Sequence, residues 1–193
     1  MGMRRDLSRI LVVDLEATCW ERGTLPPVGE LQEVIEIGYS LVHITNGSDG
    51  RPLFAAQGIS SIIVRPTRSS VSGFCTELTT LTQEQVDAGV TFEEACRQLV
   101  DHDSRALTWA SWGNFDRELM ARQCFELGVE YPFNRTHINA KNLYSISRGL
   151  TSELGLGKAM RHAGLEFIGT PHRGGDDAHN IAQLLTRTFG HVA

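Results

Sequence analysis

The segment Ile10-Leu11-Val12-Val13-Asp14-Leu15-Glu16-Ala17-Thr18 joins an apolar run to two carboxylates near its end. The aliphatic residues 10–13 are typical of a strand that is buried on both faces in the middle of a sheet. Because side chains alternate faces along a strand, Asp14 and Glu16 must point to the same side. Neighbouring carboxylates repel each other unless a cation neutralises them. The segment therefore predicts half of a divalent-metal site, or alternatively two acids that lie in solvent beyond the end of the strand.

Length and charge narrow the possible classes of protein. A chain of 193 residues with 41% apolar content predicts one domain, spanning residues 1–193, with a substantial core. The net charge of −5 argues against tight nonspecific binding along a polyanion, because that mode depends on clustered lysines and arginines. It leaves open a nucleic acid whose end is held by metal ions.

The cysteines and the start of the chain indicate the compartment. The cysteines are widely spaced and form no C-x-x-C pair, which predicts reduced thiols in a cytoplasmic protein rather than a disulfide framework or a zinc site. The basic residues 1–5 precede an apolar run that reaches Asp14 too soon for a signal peptide or a membrane span. We therefore expect a non-exported protein with no membrane partner.

The order of the predicted elements indicates an α/β protein with a mixed sheet flanked by helices. Three antiparallel strands come first, and the prolines and glycines of residues 19–29 predict a loop beside the two acids. Residues 67–90 are expected to be irregular, and Thr91 with Glu94 is predicted to form a capping box. The predicted segments are strands at 10–18, 34–44 and up to 62–64, a helix at 91–101, a strand at 107–112, a helix from 114 to 128, an edge strand at 137–140, a helix at 157–163 and a terminal helix that includes 177–185.

Asp116 lies in the first turn of the helix predicted from 114 to 128, shortly after Asn114, a good cap residue. It shares a helical face with apolar residues three, four and eight positions later, so it is predicted to face inward, whereas Glu118 is expected to pair with Arg122 on the outer face. The alternative is an N-terminal charge that the helix dipole favours.

Asp177 lies four residues before Ile181 and eight before Leu185, on the buried stripe of the terminal helix. Its neighbour Asp176 lines up with Asn180, Gln183 and Arg187 on the predicted exposed face. Of the two adjacent acids, Asp177 is therefore predicted to point at the site.

The four acids Asp14, Glu16, Asp116 and Asp177 can together hold two Mg²⁺ or Mn²⁺ ions, which prefer oxygen ligands. Two such ions about 4 Å apart can stabilise both oxygens of a phosphoryl displacement, so the arrangement suits phosphodiester hydrolysis. His172 carries an imidazole, which can accept a proton, and can act as general base on the attacking water. The alternative for this histidine is a loop residue without a catalytic role.

The joint order of these motifs resembles a known family. An Asp-x-Glu strand, an Asp that opens a middle helix and a C-terminal His-x-x-x-x-Asp are similar to the DEDDh 3′–5′ exonucleases of the DnaQ-like, RNase H-like superfamily. The Eri-type branch, which includes the histone-mRNA 3′ exonuclease and small bacterial relatives, is the most similar, over roughly residues 9–190. The segments that carry the resemblance are residues 13–19, 33–38, 74–79, 81–86, 111–116 and 172–182.

The resemblance implies an RNase H-like fold with a five-stranded mixed sheet flanked by helices. It implies metal-ligand roles for the four acids and a general-base role for His172. It also implies that the backbone around Ala17 and Thr18 meets the terminal nucleotide. Phe74 and Trp112 are expected to contact bases or sugar, with a place in the core as the alternative.

The function that the resemblance implies is a metal-dependent 3′–5′ exonuclease, using Mg²⁺ or Mn²⁺, that releases nucleoside 5′-monophosphates from the 3′ end of single-stranded RNA. DNA trimming or proofreading is a second interpretation, because the same centre serves both sugars. A catalytically silent nucleic-acid adaptor is a third, although the presence of all the catalytic residue types argues against it. No protein partner can be inferred from the sequence.

Overall fold

The computed structural model describes residues 5–190, in which a mixed sheet of five strands forms the centre of the fold. The ends of the predicted domain, residues 1–4 and 191–193, lie outside this range. The strands are β1 (Asp6–Ala17), β2 (Val34–Asn46), β3 (Pro52–Ile63), β4 (Leu107–Ser111) and β5 (His137–Asn139). The helices are α1 (Gly73–Thr79), α2 (Gln83–Asp87), α3 (Phe92–Asp101), α4 (Phe115–Leu127), α5 (Ala140–Ser147), α6 (Leu156–His162) and α7 (Gly174–Phe189).

The strand order is β3-β2-β1-β4-β5, so β1 lies in the middle of the sheet as predicted. It pairs antiparallel with β2 and parallel with β4. Leu11 and Val13 pack on one face, in the core shared with α3 and α4, whereas Ile10 and Val12 pack on the other face against α7. Burial on both faces confirms the interpretation of the apolar run as a central strand.

The start of α7 lies directly on the sheet. A Cβ atom on Gly38 in β2 would lie 1.7 Å from the carbonyl carbon of Gly174, and one on Gly174 would lie 3.1 Å from the carbonyl oxygen of Asp14. Only glycine allows backbones to approach this closely. The contact places the first turn of α7 against the end of β1 that carries the acids.

Two helices occupy the stretch that was predicted to be irregular. Ser72 accepts a hydrogen bond from the N–H of Cys75 and begins α1, and Thr82 and Gln85 form a capping box that begins α2. The prediction for residues 67–90 was wrong because both helices are short, so these caps, rather than an apolar periodicity, mark them. A third helix, α5, was also missed. Its first residue, Ala140, was assigned to the edge strand, which ends instead at Asn139, the residue that caps α5.

Some side-chain predictions were also wrong. The carboxylate of Glu94 bonds to Arg97 instead of reaching back to the start of α3, although Thr91 caps that helix as expected. Asn114 precedes α4 without a side-chain cap hydrogen bond. Arg122 pairs with Glu126 one turn later rather than with Glu118.

The clearest wrong prediction concerns Asn180. It was assigned to the exposed face of α7, but its side chain is fully buried. Its amide group binds both backbone groups of Ile168, at 3.0 and 2.8 Å. The loop before α7 covers this face of the helix, and helical phase alone does not reveal such a cover. No helix within residues 5–190 is long and apolar enough to cross a membrane.

Candidate active site

The site is built around the end of β1, where Asp14 and Glu16 share the face on which α7 lies. Glu16 is only 8% exposed. In the register of the sheet, Asp14 lies opposite Gly38 and Glu16 lies opposite Glu36. The alternative of two acids in open solvent is therefore excluded, since these carboxylates lie between the sheet and a helix.

Asp116 is the third acid, and it faces inward as predicted. Its Oδ1 accepts a hydrogen bond of 2.9 Å from the backbone N–H of Leu15, which lies between the two acids of β1. The hydroxyl of nearby Ser111 donates to the carbonyl of Gly113 at 3.1 Å and lies 2.9 Å from the Nε2 atom of His137. Sequence reasoning missed this pair because Ser111 and His137 come from separate strands, β4 and β5.

Asp177 and His172 complete the group at the start of α7. His172 has a φ of 63°, an uncommon conformation for a residue with a side chain, and its backbone N–H donates a 3.0 Å hydrogen bond to Oδ2 of Asp177. The potential ligand atoms of Glu16, His172 and Asp177 all lie within 4.8 Å of one another. The imidazole is exposed, whereas the two carboxylates are buried.

The electrostatics of the cluster fit a divalent cation. Burial, followed by repulsion from neighbouring carboxylates, raises the pKa of Glu16 to about 8 and that of Asp14 well above its ordinary value. Burial also raises the pKa of Asp177 to about 7 and that of Asp116 to about 6. No lysine or arginine within residues 5–190 forms a salt bridge with any of these four acids. An oxygen-rich cluster that lacks its own counter-charge is a suitable site for Mg²⁺ or Mn²⁺.

A fifth carboxylate, that of Glu36, holds in place the loop that carries His172 and the start of α7. It is 1% exposed, and it accepts a 3.1 Å hydrogen bond from the N–H of Gly174 and a 3.2 Å bond from Nε of Arg173. Ser61 of β3 donates to its other oxygen. Glu36 therefore ties the start of α7, with His172 and Asp177 beside it, to β2 and β3. The sequence signal was its place on the same strand face as Gly38, two residues later.

The predicted substrate-binding residues are of two kinds, residues at the end of β1 and aromatic side chains. Ala17 and Thr18 are buried at the end of β1, and the N–H of Thr18 already donates to the carbonyl of Glu33, at 2.9 Å. Trp112 is half-buried, donates to the carbonyl of Leu154 at 3.1 Å and packs against the core, so its core interpretation fits the structure better.

The aromatic residues near the acids differ in exposure. Phe74 is half-buried on α1, and its predicted contact with substrate stays a prediction. Phe115, which directly precedes Asp116, is 50% exposed. Sequence reasoning passed over Phe115, although its position beside a predicted ligand was a usable signal.

The fold and the site together define a class of protein, the nucleases with an RNase H-like sheet, in which Glu16, Asp177 and His172 cluster and Asp14 and Asp116 lie near them. A family described as Exonuclease (RNase_T) matches residues 11–185, and the chain belongs to this family. Membership confirms the resemblance and the fold class drawn from the sequence. DEDDh exonucleases depend on divalent metal, and the cluster of Glu16, His172 and Asp177 agrees with that dependence.

Two curated relatives illustrate the similarity. The chain is 29% identical over 204 residues to the 3′-5′ exonuclease Snipper of Drosophila melanogaster, covering 93% of this chain and 69% of that protein. It is 30% identical over 194 residues to human 3′-5′ exoribonuclease 1, covering 92% of this chain and 51% of that protein. The chain thus spans only about half the length of the human relative.

Solved structures agree with these relatives. The nuclease domain of 3′hExo, a DEDDh family member bound to rAMP, superimposes with a TM-score of 0.76 at 27% identity, covering 93% of this chain and 90% of that domain. The cell-death related nuclease CRN-4 superimposes with a TM-score of 0.72 at 21% identity, covering 93% of this chain and 63% of that one, and supports the fold alone.

Proposed function

We propose that this protein is a metal-dependent 3′–5′ exoribonuclease that removes nucleoside 5′-monophosphates from the 3′ end of single-stranded RNA. The observation that carries the proposal is the convergence of Glu16, His172 and Asp177 within 4.8 Å, in a chain of the exonuclease family. Of the relatives, the human protein is named a 3′-5′ exoribonuclease and the 3′hExo domain binds rAMP. Both favour RNA over DNA as the substrate.

Each of the four acids has a distinct position in the proposed reaction. Asp14 and Glu16 present carboxylates from the strand, and Asp116 and Asp177 present theirs from the starts of two helices. Two Mg²⁺ or Mn²⁺ ions held by these oxygens would stabilise the negative charge that develops on the phosphate. The burial that raises the pKa of Glu16 lowers the local dielectric constant, so charge interactions at these acids are stronger than in bulk water.

His172 is the proposed general base. Its ring is exposed beside Glu16 and Asp177, and the hydrogen bond from its N–H to Asp177 fixes the loop that carries it. In this position the imidazole can take a proton from a water molecule that attacks the phosphate. A general base typically contributes about 10²- to 10⁴-fold to a rate.

The first test uses matched single-stranded RNA and DNA oligonucleotides, labelled at the 5′ end, with Mg²⁺ or Mn²⁺ and with a chelator. We expect products that shorten stepwise from the 3′ end, release of nucleoside 5′-monophosphates, faster cleavage of RNA and no cleavage with chelator. Faster cleavage of DNA would support the trimming or proofreading alternative. Absence of cleavage of either polymer, and of an activated thymidine phosphodiester with Mn²⁺, would favour the silent adaptor.

The adjacent acids of α7 supply a matched pair of variants. Asp177→Asn should abolish cleavage, because Asp177 is buried beside Glu16 and His172. Asp176→Asn should keep most of it, because Asp176 accepts a 2.8 Å hydrogen bond from the N–H of Thr170, away from the cluster, and an asparagine oxygen can accept the same bond. Equal losses of cleavage in the two variants would contradict this assignment of the acids.

A further inference from the structure

Two cysteines from different parts of the chain lie together beside the candidate active site. Cys19 follows Thr18 just after the end of β1, and Cys75 lies in the first turn of α1. Both carry free thiols. Because the two residues are distant in sequence, only the packing of α1 against the end of β1 brings them together.

Hydrogen bonds connect the two segments at the cysteines themselves. The hydroxyl of Ser72 donates to the carbonyl of Cys19 at 2.6 Å and accepts a 3.0 Å bond from the N–H of Cys75. The thiol of Cys75 donates to the carbonyl of Ala17, at 3.5 Å. A single hydroxyl thus bridges the backbones of the two cysteines, and the sulfur of Cys75 lies against the residues that precede Cys19.

The side chains of the two cysteines also meet. Cys19 packs against the small apolar cluster that contains Cys75, Ile35, Leu81 and Val86. A hydrogen bond between the two thiols raises the pKa of Cys19 and lowers that of Cys75. A disulfide forms without large backbone movement only where both backbones and side chains already approach each other, and this pair fits that requirement.

Solvent reaches one member of the pair. Cys19 is half-buried, whereas Cys75 is fully buried. The other two cysteines, Cys96 and Cys124, are both buried in the core that α3 and α4 share with the sheet. An oxidant in solution therefore reaches Cys19 more easily than the other thiols, and it finds Cys75 directly beside it.

We propose that Cys19 and Cys75 form a redox-modification site, which hydrogen peroxide converts into a disulfide that reversibly inactivates the enzyme. The inactivation rests on the proposed function, whereas the formation of the disulfide does not. The pair goes beyond the metal-dependent reaction, because neither thiol has a part in the hydrolysis.

The oxidation has two steps. The sulfur of Cys19 attacks one oxygen of hydrogen peroxide and becomes a sulfenic acid, while the O–O bond breaks and the other oxygen leaves as water with the thiol proton. The sulfur of Cys75 then attacks the sulfur of Cys19, so that an S–S bond forms, the S–O bond breaks and a second water leaves with the proton of Cys75. Two electrons pass from the thiols to the peroxide. Dithiothreitol, a dithiol reductant, returns both electrons and restores both thiols.

The disulfide acts on the site through Ala17 and Thr18, whose backbone is predicted to meet the terminal nucleotide. An S–S bond of about 2 Å is shorter than a contact between two thiols, so the end of β1 and the start of α1 must be drawn together. The thiol of Cys75 also stops donating to the carbonyl of Ala17. A misplacement of about 1 Å can cost about 10²-fold in rate, and we therefore expect kcat/KM to fall at least about tenfold.

The test oxidises the whole protein with hydrogen peroxide in a chelator, removes the peroxide and then measures RNA cleavage with Mg²⁺. Free thiols are blocked with N-ethylmaleimide, and the disulfide is located by peptide mass spectrometry. We expect a link between Cys19 and Cys75, a fall in kcat/KM of at least about tenfold, and recovery of both thiols and activity with dithiothreitol.

Two variants separate this pair from general oxidative damage, and each is compared with its own reduced form. Cys19→Ser replaces a half-buried side chain, so we expect it to fold, to form no link and to keep its activity within about twofold after peroxide. Cys124→Ala removes a thiol outside the pair and should lose activity with peroxide as the wild type does.

Three outcomes would overturn the proposal. These are oxidised wild type without a link between Cys19 and Cys75, linked protein that keeps its full activity, and Cys19→Ser that peroxide inactivates as strongly as the wild type. If reduced wild type cleaves no RNA, the proposed function fails and the inactivation fails with it. Peptide mapping then still decides whether the two cysteines form the disulfide.

Discussion

The metal-free protein should lose stability as the pH rises from 5 to 8.5, because its acid cluster then ionises without a counter-charge. The pKa of Glu16 rises from an ordinary 4.5 to about 8 in the folded protein, mainly through burial. The folded state therefore binds this proton more tightly than the unfolded state. The contribution of protonated Glu16 to the free energy of unfolding is fully present below about pH 4.5 and is lost as the pH rises through about 8.

The size of the effect follows from the same pKa values. Each unit of difference between folded and unfolded pKa is worth about 1.4 kcal/mol, so ionisation of Glu16 alone corresponds to roughly 5 kcal/mol. Relaxation of the site and entry of water reduce this value, and we expect a loss of at least about 2 kcal/mol. For a chain of this size that corresponds to a fall of roughly 4–8 °C in Tm.

The assay is thermal unfolding in a chelator at pH 5 and at pH 8.5, repeated with millimolar Mg²⁺. Metal bound by the native state should restore Tm at pH 8.5 and have little effect at pH 5, where the acids are protonated. Glu16→Gln should reduce the pH dependence, whereas the exposed Glu77→Gln should leave it unchanged. A metal-free Tm that is the same at both pH values, or one at pH 8.5 that Mg²⁺ does not raise, would refute the reasoning.

Other predictions concern turnover, positioning and affinity. His172→Ala should lower kcat by about 10²- to 10⁴-fold with little change in KM, and wild-type kcat in this variant at neutral pH would show that the histidine is not the base. Glu36→Gln should lower the free energy of unfolding by roughly 1–3 kcal/mol, the cost typical of a charged hydrogen-bond acceptor, and should lower kcat more than it raises KM, because Glu36 anchors the start of α7. An unchanged kcat would contradict that role. Substrate binding in Ca²⁺ should need a free 3′-hydroxyl and gain little affinity beyond a few nucleotides, with a shallow salt dependence, since each phosphate neutralised by Lys or Arg adds roughly 0.7 to the slope. A steep slope with steadily rising affinity would show an extended basic groove.

Local periodicity was enough to place the residues whose orientation depends on one element. Alternation along β1 put Asp14 and Glu16 on one face, and helical phase put Asp177 rather than Asp176 at the site. The apolar run 10–13 identified the central strand, because only a strand with neighbours on both sides buries both faces. These predictions needed no knowledge of any distant contact.

Three short helices were missed by such reasoning. The helices α1, α2 and α5, of seven, five and eight residues, show no apolar periodicity that distinguishes them from a loop, whereas α6, which is equally short, was predicted. Asn180 was misplaced because the loop around Ile168 folds over a helix face that would otherwise be exposed.

Tertiary structure alone decided how the site is assembled. Asp116 reaches the backbone of Leu15 across 101 residues of sequence, and Glu36 binds Gly174 across 138. Such contacts depend on the register of β1 with β2 and on the close approach of Gly38 to the start of α7. Residue order determines which face of its own element a side chain occupies, whereas packing between elements determines which side chains meet, since each contact depends on the positions of two segments at once.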